Sequence, residues 1–209
     1  MEPVDSLKAK VVDAHGGVDA LGQISTLVFS GKITTKKESG TVALTLSRPG
    51  KLRATMVYTQ KYEDRILLDN QGWRDFGDGF KEVSDHSLGA MIFQYNHLNL
   101  PMGIFDKKYK ILHVDQKIEG QAFSILELIA KNEPPMAVII DQETGLIRQI
   151  NGKILMGKNE VVMGVGYRDY KKVNDVMLPS RIINYVNGKA IAESRYDAVQ
   201  LNVELDSKF

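Results

Sequence analysis

Apolar residues at the start of the chain recur at helical spacing. Val4, Leu7, Val11 and Val12 fall on one side of a segment that runs to His15, and Gly16 and Gly17 supply the stop expected at a helix C-terminus. A shorter helical turn, "VDALGQI", follows. From Leu27 the period changes to two. "TLVFSGKITT" sets Leu27, Phe29 and Ile33 on one face, "TVALTLSRPG" does the same with Val42, Leu44 and Leu46, and "KLRATMVYTQ" with Leu52, Ala54, Met56 and Tyr58. Short polar or Pro-Gly turns between these runs predict an antiparallel meander. "RILLDNQGWRDFGDGFKEVSD" adds two or three short strands with turns at Asn and Gly.

The alternation breaks at "DHSLGAMIFQYNHLNLPMGIF", residues 85–105. Ser84 or Asp85 can cap a helix here. Leu88, Met91, Ile92 and Tyr95 follow at i, i+3, i+4 and i+7, and Asn96 to Pro101 form a stop. Ala90 and Phe93 flank that stripe, and Leu98, Leu100, Met102, Ile104 and Phe105 come after it. This is more apolar surface than one packing stripe needs. The helix is either a buried core element or the lining of an apolar pocket.

Beyond it strand-like runs resume as "YKILHVD", "AFSILELIA", "MAVIID", "LIRQING", "KILMG", "VVMGVGYRDY", "LPSRIINYVNG" and "AIAESRYDAVQLNV". "EGQ", "NEPP", "QETG" and "VNG" separate most of them, a spacing typical of all-β sandwiches and barrels rather than βαβ units. The pattern predicts about eleven strands and two helical pieces, 4–15 and about 85–97, in one domain spanning 1–209.

Charge and chemistry subtract possibilities. Lys and Arg number 27 against 26 Asp and Glu, a balance that offers no field for nucleic acid. Cysteine is absent, which excludes disulfides, thiolate metal sites and cysteine nucleophiles. No apolar run approaches the length of a membrane span, and the first residues do not read as a secretion signal, so an exported protein would be met here in processed form with Met1 as a replacement. G-x-S-x-G, the phosphate-binding loop and H-E-x-x-H do not occur, and "GVGY" at Gly164 reads as a strand with close packing. His15, His86, His97 and His113 are scattered and read as surface or cap residues, His113 as a half-exposed strand residue, with no metal site among them. The carboxylates of "EDR", "DFGD" and "DQE" read as turn residues. No catalytic residue, metal or cofactor is expected.

Arg48 breaks the pattern. It shares the apolar face of Val42, Leu44 and Leu46 just before a Pro-Gly turn, and either snorkels at the rim or donates to carbonyls of a covering segment.

The order of a helix, a meander ending in "LSRPGKLRATM", "ILLDNQGWRDF", a helical insertion, "VIIDQETGLIRQI", "YRDYKKVNDVMLPSRI" and a closing "VQLNVELDSKF" resembles the periplasmic lipoprotein-carrier superfamily, the LolA/LolB-like proteins. "VNDVMLPSRI" is closer to the lipoprotein-sorting-like members than to the carrier itself. The resemblance implies a mainly β (α+β) fold, an open half-barrel of about eleven antiparallel strands with helices over its concave apolar face. It also implies a periplasmic, non-enzymatic carrier or sensor of lipid or lipoprotein acyl chains, with a membrane-associated donor or acceptor protein. A protein-interaction domain of the same fold is the alternative. By position, Arg48-Pro49 matches the arginine that holds the lid closed, and Trp73 an aromatic after a similar turn. Leu44, Leu46, Met56, Trp73, Leu88, Met91, Ile92, Phe93, Tyr95 and Met102 are the expected ligand-binding residues. Met56, Met91, Met102 and Met163 also suit a surface that adapts to variable chains.

Overall fold

The computed structural model describes residues 3–118, 121–156 and 159–205. Helices α1 (Val4–Ala14) and α2 (Val18–Gly22) precede strands β1 (Thr26–Thr35), β2 (Ser39–Ser47), β3 (Lys51–Tyr58), β4 (Tyr62–Leu68), β5 (Gln71–Asp75) and β6 (Lys81–Glu82). Helix α3 (Asp85–Asn99) follows. The chain then forms β7 (Lys110–Ile118), β8 (Gln121–Ile129), β9 (Met136–Asp141), β10 (Ile147–Met156), β11 (Asn159–Val173), β12 (Val176–Val186) and β13 (Lys189–Leu201). The turn expected at Glu119 and Gly120 and the end of the closing segment at Phe209 lie outside the described residues.

Helix α1 forms where the pattern places it and buries Leu7, Val11 and Val12. It stops because Gly16 and Gly17 take positive φ, 124° and 89°, which lets the Gly17 amide donate back to the Val12 carbonyl at 2.9 Å. No side chain is possible at Gly16, since a Cβ there would lie 2.3 Å from the Asp175 carbonyl oxygen.

All thirteen strands join one antiparallel sheet in the order β6-β5-β4-β3-β2-β1-β13-β12-β11-β10-β9-β8-β7. Every neighbour in that order is also a neighbour in sequence except β1 and β13, which bring the two ends of the sheet's chain together in its middle. The sheet is therefore an up-and-down meander left open at one place, between β6 and β7. There the sequence supplies α3 in place of a hairpin.

Thirteen strands replace the expected eleven or so. The runs "LIRQING" and "KILMG" are one strand: Asn151 and Gly152 lie inside β10, paired with Gly164 and Met163 of β11. Gly152 has a packing task there. A Cβ at that position would fall 2.5 Å from the ring of Phe93, so the missing side chain is what allows α3 to press its phenylalanine onto the sheet. Gly72 does the same nearer the N-terminus of the helix, where a Cβ would meet Val83, Met91 and Leu88 at 2.9–3.2 Å. Helix α3 thus crosses the concave face, touching β5 and β4, β2, and β10. It buries Met91 and Phe93 with the side chains of Leu46, Leu52, Leu67, Ile150 and Ile154 in one continuous core.

Gly152→Ala should consequently destabilise the fold by about 1–3 kcal/mol through overpacking. In denaturant titrations, pairing it with Phe93→Ala should give a loss smaller than the sum of the two single losses. Additive losses would mean the two positions do not meet.

Candidate functional site

Gly72 and Gly152 let α3 approach the sheet through Leu88, Met91 and Phe93, and a space remains under the adjoining face of the helix. Ala90, Phe93, Gln94 and His97, at i, i+3, i+4 and i+7, roof a cavity of about 270 Å³. Register builds the floor. Ile33 of β1, Val42 and Leu44 of β2 and Met56 of β3 lie beneath one end of the roof, and Met163, Val165, Ile182, Ala192 and Tyr196 of β11 to β13 beneath the other. The span from Ala192 to Tyr196 or from Lys61 to Arg65, four residues of strand, gives a length of roughly 13 Å.

One end of the cavity is closed and the other is open. At the closed end His97, only 5% exposed, is fixed by Tyr167: the tyrosine hydroxyl donates to the His97 carbonyl at 2.9 Å and sits 2.8 Å from His97 Nδ1. Having spent its proton on the carbonyl, that hydroxyl accepts from Nδ1–H, which leaves Nε2 unprotonated. Burial lowers the His97 pKa to about 3, so the ring is neutral. At the open end Ile191 is 45% exposed and stands with Thr35, Tyr58 and Lys61.

The open end carries a charged cluster built by strand alternation. Glu63, Arg65 and Leu67 of β4 point to the concave face, and Arg74 of β5 pairs beside Arg65. Glu63 Oε1 accepts from Arg65 Nε at 2.7 Å and lies 3.0 Å from Arg74 Nε, and Lys61 Nζ stands 3.6 Å from Oε2. Burial acts to raise the Glu63 carboxyl, but the hydrogen bond from Arg65 and the charges of Arg65, Arg74 and Lys61 outweigh it and hold the group below the ordinary carboxylate value. The next residue faces the other way. Asp64, fully buried on the convex face, is held by Arg53 Nη2 at 2.8 Å, Thr55 Oγ1 at 3.0 Å and the Tyr62 hydroxyl at 3.3 Å.

These positions correct the reading of "EDR" as a turn: both carboxylates are in the middle of a strand and paired with arginine. The other two pairs do form turns, Asp75 Oδ1 accepting from the Gly77 and Gly79 amides and Asp141 Oδ1 from those of Glu143 and Thr144. The histidines are also corrected. His86 is exposed, but His15, His97 and His113 are buried. His15 Nδ1 donates to the Val11 carbonyl at 2.7 Å, its ring meets Tyr170 edge-on, and burial lowers its pKa to about 4. Among the described residues no group of His, Asp or Glu could hold a metal ion.

Of the expected ligand-binding residues, Leu44, Met56 and Phe93 line the cavity. Leu46 and Met91 are buried in the core beside it, and Leu88 and Met91 cover Gly72. Ile92 and Met102 are half-buried against the same core. Tyr95 accepts from the Gly50 amide at 2.8 Å, tying α3 to the β2–β3 turn. Trp73 lies elsewhere: it pairs with Ile66, which pairs with Arg53, and this register sets it on the convex face, while Gly72 beside it faces α3. Arg48, in the same turn as Gly50, donates from Nη1 to the Ile24 carbonyl at 3.0 Å, between α2 and β1. Sequence reasoning missed Glu63, Arg65, Gln94 and His97. The signal available for Glu63 and Arg65 was their alternation with Leu67.

An open antiparallel half-barrel whose concave apolar face is roofed by a crossing helix over a cavity is the class of protein these elements define. Solved structures of the same fold include an outer membrane lipoprotein-sorting protein domain from Vibrio parahaemolyticus, with a TM-score of 0.63 and 12% identity over 97% of this chain and 94% of that one. A LolA superfamily protein from Nitrosomonas europaea matches with a TM-score of 0.63 and 12% identity over 100% and 97%, and a DUF1329 family protein from Desulfovibrio piger with 0.64 and 10% over 99% and 96%. The chain therefore shares the fold of these three structures, a LolA superfamily protein among them. A scan against protein-family models and a search of the curated proteins return no match.

His15 and His97 set an acid limit on this architecture. Their folded pKa values lie below the ordinary 6.5, so as pH falls the unfolded chain takes up protons first, and stability is lost from about pH 6.5 downward. The slope is up to about 1.4 kcal/mol per pH unit for each histidine. Urea denaturation between pH 6.5 and 5, above the carboxylate range, should show this loss, and His97→Gln should flatten it. A slope unchanged by that substitution would contradict a buried neutral His97.

Proposed function

We propose that the chain is a non-catalytic carrier or sensor that takes up lipid, or the acyl chain of a lipoprotein, beneath α3 in the periplasm. The observation that supports this most is the cavity between α3 and the concave face, with a largely apolar floor interrupted by Asn184 and Ser194, one closed end and one open end. A cavity of about 150 Å³ lined by aliphatic and aromatic side chains stays dry and accepts benzene. The volume here, nearly twice that, suits on the order of a dozen carbon atoms. Each buried CH₂ contributes about 0.8 kcal/mol, enough to hold one aliphatic chain after the cost of association. The lipoprotein-sorting and LolA-superfamily structures that share the fold agree with such a role, and a membrane-associated donor or acceptor would be the partner. No helix among the described residues is long and apolar enough to cross a membrane.

The test uses the uncharged fluorescent probe N-phenyl-1-naphthylamine. It should bind the wild-type protein and be displaced by lipid. Ala90→Trp, which fills the roof of the cavity from an already half-buried position, should weaken binding at least about tenfold while leaving the folding transition in place. A folded protein that does not bind the probe, or a variant that binds it equally well, would sink the carrier reading. Purification with a protein partner and no lipid would favour the interaction domain instead.

A further inference from the structure

The cluster at the open end of the cavity contains more positive charge than the fold uses. Lys61, Arg65 and Arg74 surround a single carboxylate, Glu63, whose side chain is 6% exposed. Both arginines approach that carboxylate through Nε. Their terminal Nη groups donate to no acceptor among the described residues, and Arg74 Nε, though within ion-pair distance, makes no well-aligned hydrogen bond. Two guanidinium groups are thereby placed side by side on one carboxylate oxygen. The Gln94 amide reaches the cavity from the roof, and its buried Oε1 also lacks a partner among the described residues; turned over, the same amide presents two N–H donors. Donors without acceptors, at the edge of an apolar cavity, are what an oxyanion joined to a hydrocarbon chain would satisfy.

Resting on the carrier reading, we propose that the ligand is an amphiphile with one alkyl chain and an anionic head, carboxylate or phosphate, bound tail-inward with the head at Arg65, Lys61 and Gln94. The tail lies between the roof and the floor and ends near His97. One chain fits the volume, whereas a lipid with two or three chains would require α3 to lift from Gly72 and Gly152. Glu63 holds the two arginines in place and competes with the ligand for them, so the site has an internal counter-ion that keeps it from gripping small anions unaided by a tail.

Calorimetric titration with dodecanoate, dodecyl phosphate, dodecanol and dodecyltrimethylammonium, each below its micelle concentration, tests the proposal, with inorganic phosphate as a fifth ligand. The two anions should bind roughly tenfold or more tightly than the alcohol and the cation, and inorganic phosphate should not bind measurably. Lys61→Ala, at a side chain 51% exposed and therefore harmless to the fold, should reduce the preference several-fold, by a charge-assisted contact, and Glu63→Gln should increase it. A role limited to holding the strands together would move all four chains alike. Equal binding of dodecanol and dodecanoate, or a preference unchanged by both substitutions, overturns this inference and leaves the carrier reading standing. Tight binding of inorganic phosphate alone would assign the cluster to a free anion and overturn it too. Failure of every chain to bind removes both.

Discussion

A sheet of thirteen strands curls around an apolar face but stops short between β6 and β7, and one fifteen-residue helix has to cover what that opening leaves exposed. The rest of the structure depends on this constraint. An apolar face open to water is costly in proportion to its area, so the segment joining the two free edges cannot be an ordinary loop. It is instead a helix with apolar residues on most of its circumference, which contacts strands on both sides of the opening. Its close approach is set by the two glycines beneath it. Where no glycine lies under the helix, a short Ala90, a polar Gln94 and a His97 drawn back onto Tyr167 do not fill the gap. A cavity results because the helix is fitted closely where Gly72 and Gly152 meet Leu88, Met91 and Phe93 and sparingly along the face of Ala90, Gln94 and His97.

Strand alternation then decides the electrostatics. Adjacent carboxylates in β4 are sent to opposite faces, and each is buried with arginine, Asp64 outside with Arg53 and Glu63 inside with Arg65 and Arg74. The outer pair is self-contained, since the carboxylate takes two contacts from one guanidinium and two more from hydroxyls. The inner one is not, because three cations share one carboxylate. In the carrier reading this asymmetry gives the cavity a polarity along its length, from a neutral histidine at the closed end to an unbalanced positive charge at the open end.

Much of this was legible in the sequence. Period-two alternation gave the strands around Leu27, Leu44 and Met56, the GG pair ended α1, and the apolar excess of residues 85–105 marked the covering helix and extended it nearly to its end at Asn99. What could not be read was set by partners distant in sequence. "LIRQING" and "KILMG" read as separate runs until Phe93 is seen above Gly152, inside one strand. Trp73 looks like a cavity residue until register assigns Gly72 to that face, and the histidines look like surface groups until Tyr170 and the buried Tyr167 are found beside His15 and His97. Glu63 and Asp64 read as turn residues because charge in a short strand suggests exposure, whereas here each carboxylate is neutralised by arginine on its own face of β4. Arg48, read either as a rim residue or as a donor to the covering segment, donates to a carbonyl outside α3. Its acceptor, the Ile24 carbonyl, belongs to the segment entering β1, and the contact that ties the crossing helix to the same turn comes from Gly50 and Tyr95.

The claim that the space beneath α3 is a ligand cavity rather than a loosely packed core is tested most directly by native mass spectrometry of the protein as purified, followed by solvent extraction and identification of what is released. The account predicts a one-to-one adduct with the mass of a single-chain amphiphile, absent when Ala90 is replaced by tryptophan. A protein that is folded, homogeneous and free of any adduct, even after incubation with such chains, would contradict it.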